Sequence, residues 1–155
     1  MRFRIVVVGK VRQPFVRDAE AEYGKRLRGY AELDVVEVTT KVAGSAPDDV
    51  VRAREADELL SRIPTGERLV GLDGRGRSLS SADFAAWLGD QQRRGTSRVT
   101  FVVGGASGLD ERVRARADLV LSLSAMTLPH QIARLVLVEQ IYRACTILRG
   151  EPYHK

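Results

Sequence analysis

The sequence contains only one cysteine and two histidines in 155 residues. A lone cysteine, Cys145, cannot form a disulfide within the chain, and it excludes a zinc site built from clustered cysteines. The histidines, His130 and His154, form no H-E-x-x-H motif, so the sequence gives no reason to expect a metal. Cys145 lies in an apolar stretch, which is typical of a small core residue rather than a nucleophile.

Long apolar runs are also missing. None approaches the roughly 20 residues that a membrane-spanning helix needs. The first residues are basic and lack the apolar segment and cleavage site of a signal peptide. We therefore expect a cytoplasmic protein with no membrane partner. A hydrophobic content of 44% is ordinary for a globular protein, and we expect residues 1–155 to form a single domain.

The motifs of several enzyme classes are absent. The sequence has neither the G-x-G-x-x-G fingerprint of dinucleotide-binding folds nor the G-K-[ST] ending of a phosphate-binding loop. It has no G-x-S-x-G nucleophile elbow, and its carboxylates form no evident acid–base pair. A hydrolase function is therefore not favoured.

Negative charge is scarce at the start of the chain. Residues 1–30 hold eight Lys or Arg against three acids, and this excess equals the formal net charge of the whole chain, +5. Such a basic concentration suits a polyanion such as nucleic acid. From charge alone, a solvated basic surface explains it equally well.

Apolar runs and helix signals alternate along the chain. Runs rich in valine, isoleucine and leucine predict strands at residues 3–8, 33–38, 68–72, 98–103 and 119–123. Proline, serine and acidic residues at helix starts predict helices at 14–28, 47–63, 80–94 and 129–148, and residues 107–110 open a short one. The alternation predicts an α/β fold with a mostly parallel sheet and helices on both faces.

Ligands of such folds bind beyond the carboxyl ends of the strands. Three segments there are unusual. Gly104, Gly105 and Gly108 allow a close backbone approach to a ligand. The turn at residues 73–77 alternates glycine and arginine; we interpret Asp73 as its cap and leave the role of the arginines open. Residues 123–130 are mostly small or apolar, so adenine could use their backbone groups, although a buried connector is the simpler explanation.

The last predicted helix lacks a polar stripe. Its polar residues scatter around the helix axis, and apolar residues occupy the rest of its surface. A helix of this kind needs cover on more than one side. In a chain this short, a second subunit is the obvious cover, so the pattern predicts a homodimer.

Four stretches together resemble one known family. They are the G-G-x-x-G of residues 104–108, SLSAMTLPHQ at 122–131, EQIYRA at 139–144 and the ending PYHK at 152–155. On these motifs, and over its whole length, the sequence resembles the bacterial large-subunit rRNA pseudouridine N3-methyltransferases of type H, in the SPOUT superfamily. The second and fourth stretches are the most specific.

The resemblance implies an α/β fold whose C-terminal part forms a deep trefoil knot, and a homodimer with cofactor sites near the knot. It implies S-adenosylmethionine as methyl donor and, as substrate, a pseudouridine in the helix 69 loop of 23S rRNA within the 70S ribosome. The cofactor positions that it carries over to this sequence are Leu72, Gly104, Leu123, Ser124, Ala125, Met126, Thr127 and Leu128.

The end of the chain supplies a catalytic hypothesis. Tyr153 and His154 would order the target base, and His154 could help to remove its N3 proton. Arg143 would favour the anionic form of the base. His130 would instead orient the loop before the last helix. The sequence does not say which protomer supplies the tail to each site.

The basic residues near the start of the chain are expected to contact rRNA phosphates. The four that we single out are Arg12, Arg17, Lys25 and Arg28. Two alternatives remain open. A non-catalytic RNA-binding factor of similar fold would not bind S-adenosylmethionine, and a small-molecule α/β enzyme with a nucleotide on its glycine loop would turn over without RNA.

Overall fold

The computed structural model describes residues 1–155 and is built on a five-stranded parallel sheet. The strands are β1 (Arg2–Val8), β2 (Glu32–Val38), β3 (Arg68–Ser78), β4 (Arg98–Val103) and β5 (Leu119–Ser122). The helices are α1 (Pro14–Leu27), α2 (Asp48–Ser61), α3 (Ser81–Arg93), α4 (Glu111–Arg116) and α5 (His130–Leu148). The spatial order of the strands is β2-β1-β4-β3-β5, and every pairing is parallel. The predicted α/β fold is confirmed, whereas the trefoil knot stays a prediction.

Alternate residues of the central strands enter two cores. Phe3, Ile5 and Val7 of β1 belong to the larger core, beneath α1, α3 and α5. Val6 belongs to the smaller core on the opposite face, with residues of α2 and α4. Because successive strand side chains point to opposite faces, a sheet covered on both sides reads as a continuous apolar run. This is the pattern that predicts the strands.

Local caps fix several helix starts. The Ser80 hydroxyl accepts a hydrogen bond from the Asp83 N–H at 3.0 Å, as the predicted capping box requires. Asp110 caps α4 through the Arg112 N–H at 2.9 Å. As a result, α4 begins at Glu111, and residues 107–110 form the turn before it rather than its first residues.

Strand β3 is longer than predicted. It continues from Leu72 to Ser78 through a bulge, so that Leu72 and Arg77 both pair with Leu121 of β5. The segment predicted as a turn is therefore the bulge of one strand. A Cβ atom on Gly76 would lie 2.6 Å from the Val120 carbonyl oxygen, so only glycine fits at this crossing.

Helices α1 and α5 lie side by side and run in the same direction. Near their starts, the Gln131 side chain accepts hydrogen bonds from the N–H groups of Arg12 and Gln13 at 3.1 and 3.4 Å. Near their ends, Tyr23 contacts Tyr142, with ring centroids 6.1 Å apart. Both helices therefore lead from the carboxyl edge of the sheet to its amino edge.

The protomer itself covers most of α5, which lies on the sheet between α1 and α3. Leu137, Val138 and Ile141 are fully buried. The scattered apolar residues of α5 thus have cover within one chain, a packing that sequence reasoning assigned to a second subunit. Ile132, Leu135 and Val136 remain only half-buried. No helix is long and apolar enough to cross a bilayer.

Candidate active site

A cleft of about 790 Å³ opens at the carboxyl edge of the sheet, where β3, β4 and β5 end. Its walls are the β3 bulge, the glycine loop at residues 104–108 and the segment 123–130. These are the three segments that the sequence marked as unusual. A cleft of this size suits a nucleotide-sized ligand, since such sites usually enclose roughly 300–1,000 Å³.

All the residues predicted to bind the cofactor line this one cleft. They are Leu72, Gly104, Leu123, Ser124, Ala125, Met126, Thr127 and Leu128. The structure thus brings them together from three loops, and their role as cofactor ligands stays a prediction. His130 also lines the cleft, and its Nε2 lies 3.9 Å from where a Cβ atom would stand on Gly9.

Each of the three glycines in the loop at residues 104–108 has a structural reason to be glycine. A Cβ atom on Gly104 would lie 2.8 Å from the Gly108 carbonyl oxygen, and one on Gly105 would lie 2.6 Å from Oε1 of Glu55. Gly108 has a φ of +84°, in the left-handed region that favours glycine. These positions therefore require glycine for the folding of the loop itself, independently of any ligand.

Helix α2 supports this loop from behind, which sequence reasoning missed. Glu55 is buried and accepts a hydrogen bond from the Gly105 N–H at 3.3 Å. Arg52 donates to the Ser107 carbonyl at 3.2 Å, and the Ser107 hydroxyl donates to Asp48 at 3.0 Å. Burial raises the pKa of Glu55, and the hydrogen bond from Gly105 opposes this only in part. A glutamate on a polar helix gave no signal in the sequence, because its burial depends on the loop.

The segment 123–128 offers backbone donors to the cleft. The Met126 N–H donates to Oγ of Ser124 at 2.9 Å. The N–H groups of Ala125, Thr127 and Leu128 have no hydrogen-bond partner in the chain. Backbone N–H groups seek a partner, so three such donors on a cleft wall are available to a ligand. The side chain of Met126, which lies in the same segment of the cleft wall, is 79% exposed.

Asp73 anchors the β3 bulge. Its carboxylate accepts hydrogen bonds from the backbone N–H and side chain of Arg75 at 2.9–3.1 Å. Although burial acts in the opposite direction, these bonds and the charge of Arg114 lower the pKa of Asp73. Asp73 thus caps the turn, as interpreted from the sequence. Arg75 is tied to Asp73, whereas Arg77 has no ion-pair partner.

The three residues predicted to be catalytic form a second cluster, at the far end of α5. Arg143 binds Oε1 of Glu139 through Nη2 and Nε at 2.6 and 3.0 Å, and Tyr153 donates to the same oxygen at 2.9 Å. The Arg143 guanidinium also lies 4.6 Å from the centroid of the Tyr153 ring. Nη1 of Arg143 lies 3.3 Å from Nδ1 of His154.

These contacts define the protonation of the cluster. Burial, with the nearby Tyr23 and the hydrogen bond to Glu139, raises the pKa of Tyr153 well above its usual value, so the phenol stays neutral. A guanidinium has no acceptor, so Nδ1 of His154 must accept the hydrogen bond from Arg143. This hydrogen bond requires the tautomer of His154 that carries its proton on Nε2.

Within one chain, the cleft and this cluster do not meet. His130 lines the cleft at the start of α5, and Arg143 lies about 20 Å farther along the helix axis, given a rise of about 1.5 Å per residue. The four predicted phosphate contacts divide in the same way. Arg12 and Arg17 lie at the start of α1, beside the start of α5, whereas Lys25 and Arg28 lie near the end of α5.

Two expectations concern other side chains. Cys145 is half-buried against the larger core, and burial raises the pKa of its thiol to about 11, in agreement with a packing role. No group of three or more His, Cys, Asp or Glu side chains could hold a metal ion.

Comparisons with known proteins agree over the whole chain. A family model described as "Predicted SPOUT methyltransferase" matches residues 1–154. The chain is 46% identical to Ribosomal RNA large subunit methyltransferase H of Gemmatimonas aurantiaca and 43% identical to the protein of that name from Carboxydothermus hydrogenoformans, with 100% of each chain covered in both cases.

A solved structure of a probable methylase family protein from Haemophilus influenzae has a similar fold. The TM-score is 0.57 at 13% sequence identity, and the match covers 99% of this chain and 70% of that one. At this identity the likeness concerns the fold alone.

Proposed function

The chain belongs to the SPOUT methyltransferase family, and we propose that it methylates N3 of a pseudouridine in the helix 69 loop of 23S rRNA, with S-adenosylmethionine as methyl donor. The observation that carries the proposal is the cleft in which all eight expected cofactor positions meet. Full-length relatives named rRNA large subunit methyltransferases support rRNA as the substrate. A ribosomal substrate places the activity in the cytoplasm.

The cleft fits the proposed cofactor. The free N–H groups of Ala125, Thr127 and Leu128 can bind the acceptor atoms of an adenine edge. The adenine ring would have apolar walls from Leu72, Leu123 and Leu128. The glycine loop would let the backbone approach the rest of S-adenosylmethionine closely. When bound, S-adenosylmethionine would supply its sulfonium methyl group: the bond from sulfur to the methyl carbon would break as the bond to N3 forms, leaving a neutral thioether, and the N3 proton would pass to water.

The active site is completed by a second copy of the chain. Arg143 of the expected catalytic cluster lies about 20 Å along α5 from His130 in the cleft, so a second protomer is needed to bring both to a single base. A two-fold axis across the middle of α5 reverses the helix and places the tail of one copy beside the cleft of the other. The half-buried Ile132, Leu135 and Val136 offer an apolar surface for this contact.

The tail cluster would orient the base and stabilise its anion. With Nδ1 occupied by Arg143, His154 presents its Nε2–H to the substrate as a hydrogen-bond donor. To accept the N3 proton at Nδ1, His154 would first have to release Arg143. We therefore assign base orientation to His154 and Tyr153. Arg143, always charged, favours the negative charge that develops on the base.

The same two-fold arrangement gathers positive charge around each site. Lys10, Arg12 and Lys41 follow β1 and β2 at the carboxyl edge of the sheet, and their side chains form no ion pair. Lys25, Arg28 and Lys155 lie at the tail end and are also unpaired. Joined across the dimer, the two groups would surround one site with cations for rRNA phosphates.

Incubation of the purified protein with S-adenosylmethionine and 70S ribosomes tests the function. Ribosomes from a strain that lacks this gene serve as substrate, and mass spectrometry of 23S rRNA locates the modification. We expect one added methyl group, on N3 of a pseudouridine in the helix 69 loop. A methyl group on another nucleotide, or methylation of small molecules without RNA, would contradict the proposal.

A further inference from the structure

All four tyrosines of the protein lie in one cluster where α1 and α5 end. Tyr142 is at its centre, with ring centroids 4.8 Å from Tyr153, 5.7 Å from Tyr30 and 6.1 Å from Tyr23. Two of the three contacts are edge-to-face, a favourable geometry for aromatic pairs. The cluster joins the C-terminal tail to two helices that the sequence places far apart.

The tail reaches this cluster by reversing direction after α5. Gly150 has a φ of +69°, and the N–H of Glu151 donates to the Thr146 carbonyl at 3.0 Å, which is a left-handed helix cap. The chain then runs back along α5, so that Tyr153 lies on Tyr142 and bonds Glu139. The orientation of Tyr153 and His154 therefore depends on the path of the chain at Glu151.

Tyr30, in the turn between α1 and β2, anchors the chain at Glu151. Its hydroxyl forms a hydrogen bond with the carboxylate of Glu151, across 121 positions of sequence. The guanidinium of Arg149 lies 4.3 Å from the centroid of the Tyr30 ring. The contact with Glu151, helped by desolvation, raises the pKa of Tyr30 to about 12. One tyrosine thus fixes two residues at the reversal.

We propose that Tyr30 is a positioning residue for methyl transfer, because its bond to Glu151 sets the direction in which the tail presents Tyr153 and His154 to the substrate. This inference rests on the proposed function of the tail. Terminal residues usually fray, so a catalytic group on the last residues of a chain needs such an anchor. The Tyr30 ring packs against the larger core, whereas its hydroxyl bonds Glu151, which belongs to neither core, so the hydroxyl can be removed while the packing of the ring is kept.

Tyr30→Phe is the sharpest test, since it removes only the hydroxyl and keeps the ring against Tyr142 and Arg149. Glu151→Gln removes the charge of the other partner. Asp90→Asn is the matched control, because Asp90 forms an ion pair with Arg94, directly after α3, and has no hydrogen bond or ion pair with Tyr30 or Glu151. Four quantities are measured for each variant: Kd for S-adenosylmethionine, KM for ribosomes, kcat, and the rate at which carboxypeptidase releases Lys155 and His154.

We expect kcat of Tyr30→Phe to fall about tenfold, the effect of losing one hydrogen bond that orients the reacting complex. The Kd for S-adenosylmethionine should stay unchanged, and carboxypeptidase should release the last residues faster. Glu151→Gln should behave in the same way, and the double variant should be no worse than either single one. Asp90→Asn should match the wild type in all four measurements.

Wild-type kcat and carboxypeptidase resistance in Tyr30→Phe would overturn the inference, as would a loss of affinity for S-adenosylmethionine as large as the loss in kcat, which indicates a merely structural role. Failure of the proposed function can be distinguished from failure of this inference about Tyr30. If the wild-type protein methylates no ribosome, the function is wrong, and carboxypeptidase release still tests whether Tyr30 anchors the tail.

Discussion

Arg143 donates a hydrogen bond to Nδ1 of His154 over 3.3 Å, so the acceptor nitrogen of the histidine is already occupied. Two roles are expected for His154 from the sequence, orientation of the base and removal of its N3 proton, and this contact distinguishes between them. A histidine that orients the base needs its Nε2–H, whereas a general base needs a free ring nitrogen. The first role agrees with the geometry.

Substitution of His154 distinguishes these roles. Glutamine retains an N–H donor but cannot take up a proton near neutral pH. We expect His154→Gln to keep kcat within about tenfold of the wild type, while His154→Ala loses about a hundredfold, at the lower end of what removal of one oriented hydrogen-bond donor costs in an active site. Single-turnover kinetics on ribosomes measures both. Equal, near-complete loss in the two variants would indicate a general base instead.

Gly105 should tolerate no side chain. The methyl group of Gly105→Ala would stand 2.6 Å from Oε1 of Glu55, and the loop would have to shift into the cleft. We expect the Kd for S-adenosylmethionine to rise at least about tenfold, as a loss of roughly 1.4 kcal/mol. Calorimetry measures it. Gly44→Ala is the control, because a Cβ atom there meets nothing within 4 Å; equal affinity of the two variants would contradict the assigned loop geometry.

Glu55 should make the stability of the protein depend on pH. Burial raises its pKa in the folded state, so the folded protein holds this proton at pH values where the unfolded chain has lost it. The contribution of Glu55 to stability is therefore fully present below the ordinary carboxyl pKa and is lost as pH rises through the raised value. The Glu55→Gln variant has no carboxyl group at this position, so its stability should not fall with pH for this reason.

Chemical denaturation of both proteins across pH measures the effect. Glutamine can still accept the hydrogen bond from Gly105, so the free energy of unfolding of Glu55→Gln should gain on the wild type as pH rises above the usual carboxyl range. The two curves should run parallel in acid. A wild-type protein that gains stability relative to the variant with rising pH would show that Glu55 is stabilised as an anion.

Removal of cations should weaken rRNA binding and make that binding less sensitive to salt concentration. Arg12 and Lys25 lie at opposite ends of α1, yet in the proposed dimer an Arg12 of one copy and a Lys25 of the other would border the same site. We expect the slope of log K against log salt to fall by about 0.7–0.9 for each phosphate that the Arg12→Ala/Lys25→Ala variant no longer neutralises. Arg94→Ala, which removes a cation paired with Asp90, should leave the slope unchanged.

Much of the fold could be predicted because it depends on local patterns. The apolar runs predicted all five strands, and Ser80 with Asp83 marked the start of α3 where the structure has it. The strand-end rule also identified the three loops of the cleft. The assignment of individual residues to the cofactor and to catalysis came from resemblance to a family, since Leu72 or Arg143 carries no signal in isolation.

The remaining features depend on contacts between distant segments. Gly76 is required by the Val120 carbonyl, so the bulge that extends β3 was invisible in a sequence that merely suggested a turn. The burial of Glu55 depends on the glycine loop 50 positions later. The separation of the cleft from Tyr153 follows from the length of α5, which begins at the cleft, and the path by which the tail folds back onto Glu139 depends on contacts that helix patterns do not specify.

Mixing two inactive variants tests most directly whether the site is shared between protomers. Gly104→Val blocks the cleft, because its side chain would collide with the Gly108 carbonyl, and His154→Ala disables the tail. In mixed dimers, a shared site leaves one intact cleft facing one intact tail. Random exchange of subunits at equal amounts should then restore about a quarter of wild-type methylation per dimer, since half of the dimers are mixed and each has one working site. If cleft and tail act within the same chain, mixing restores nothing, and that result would contradict a shared site.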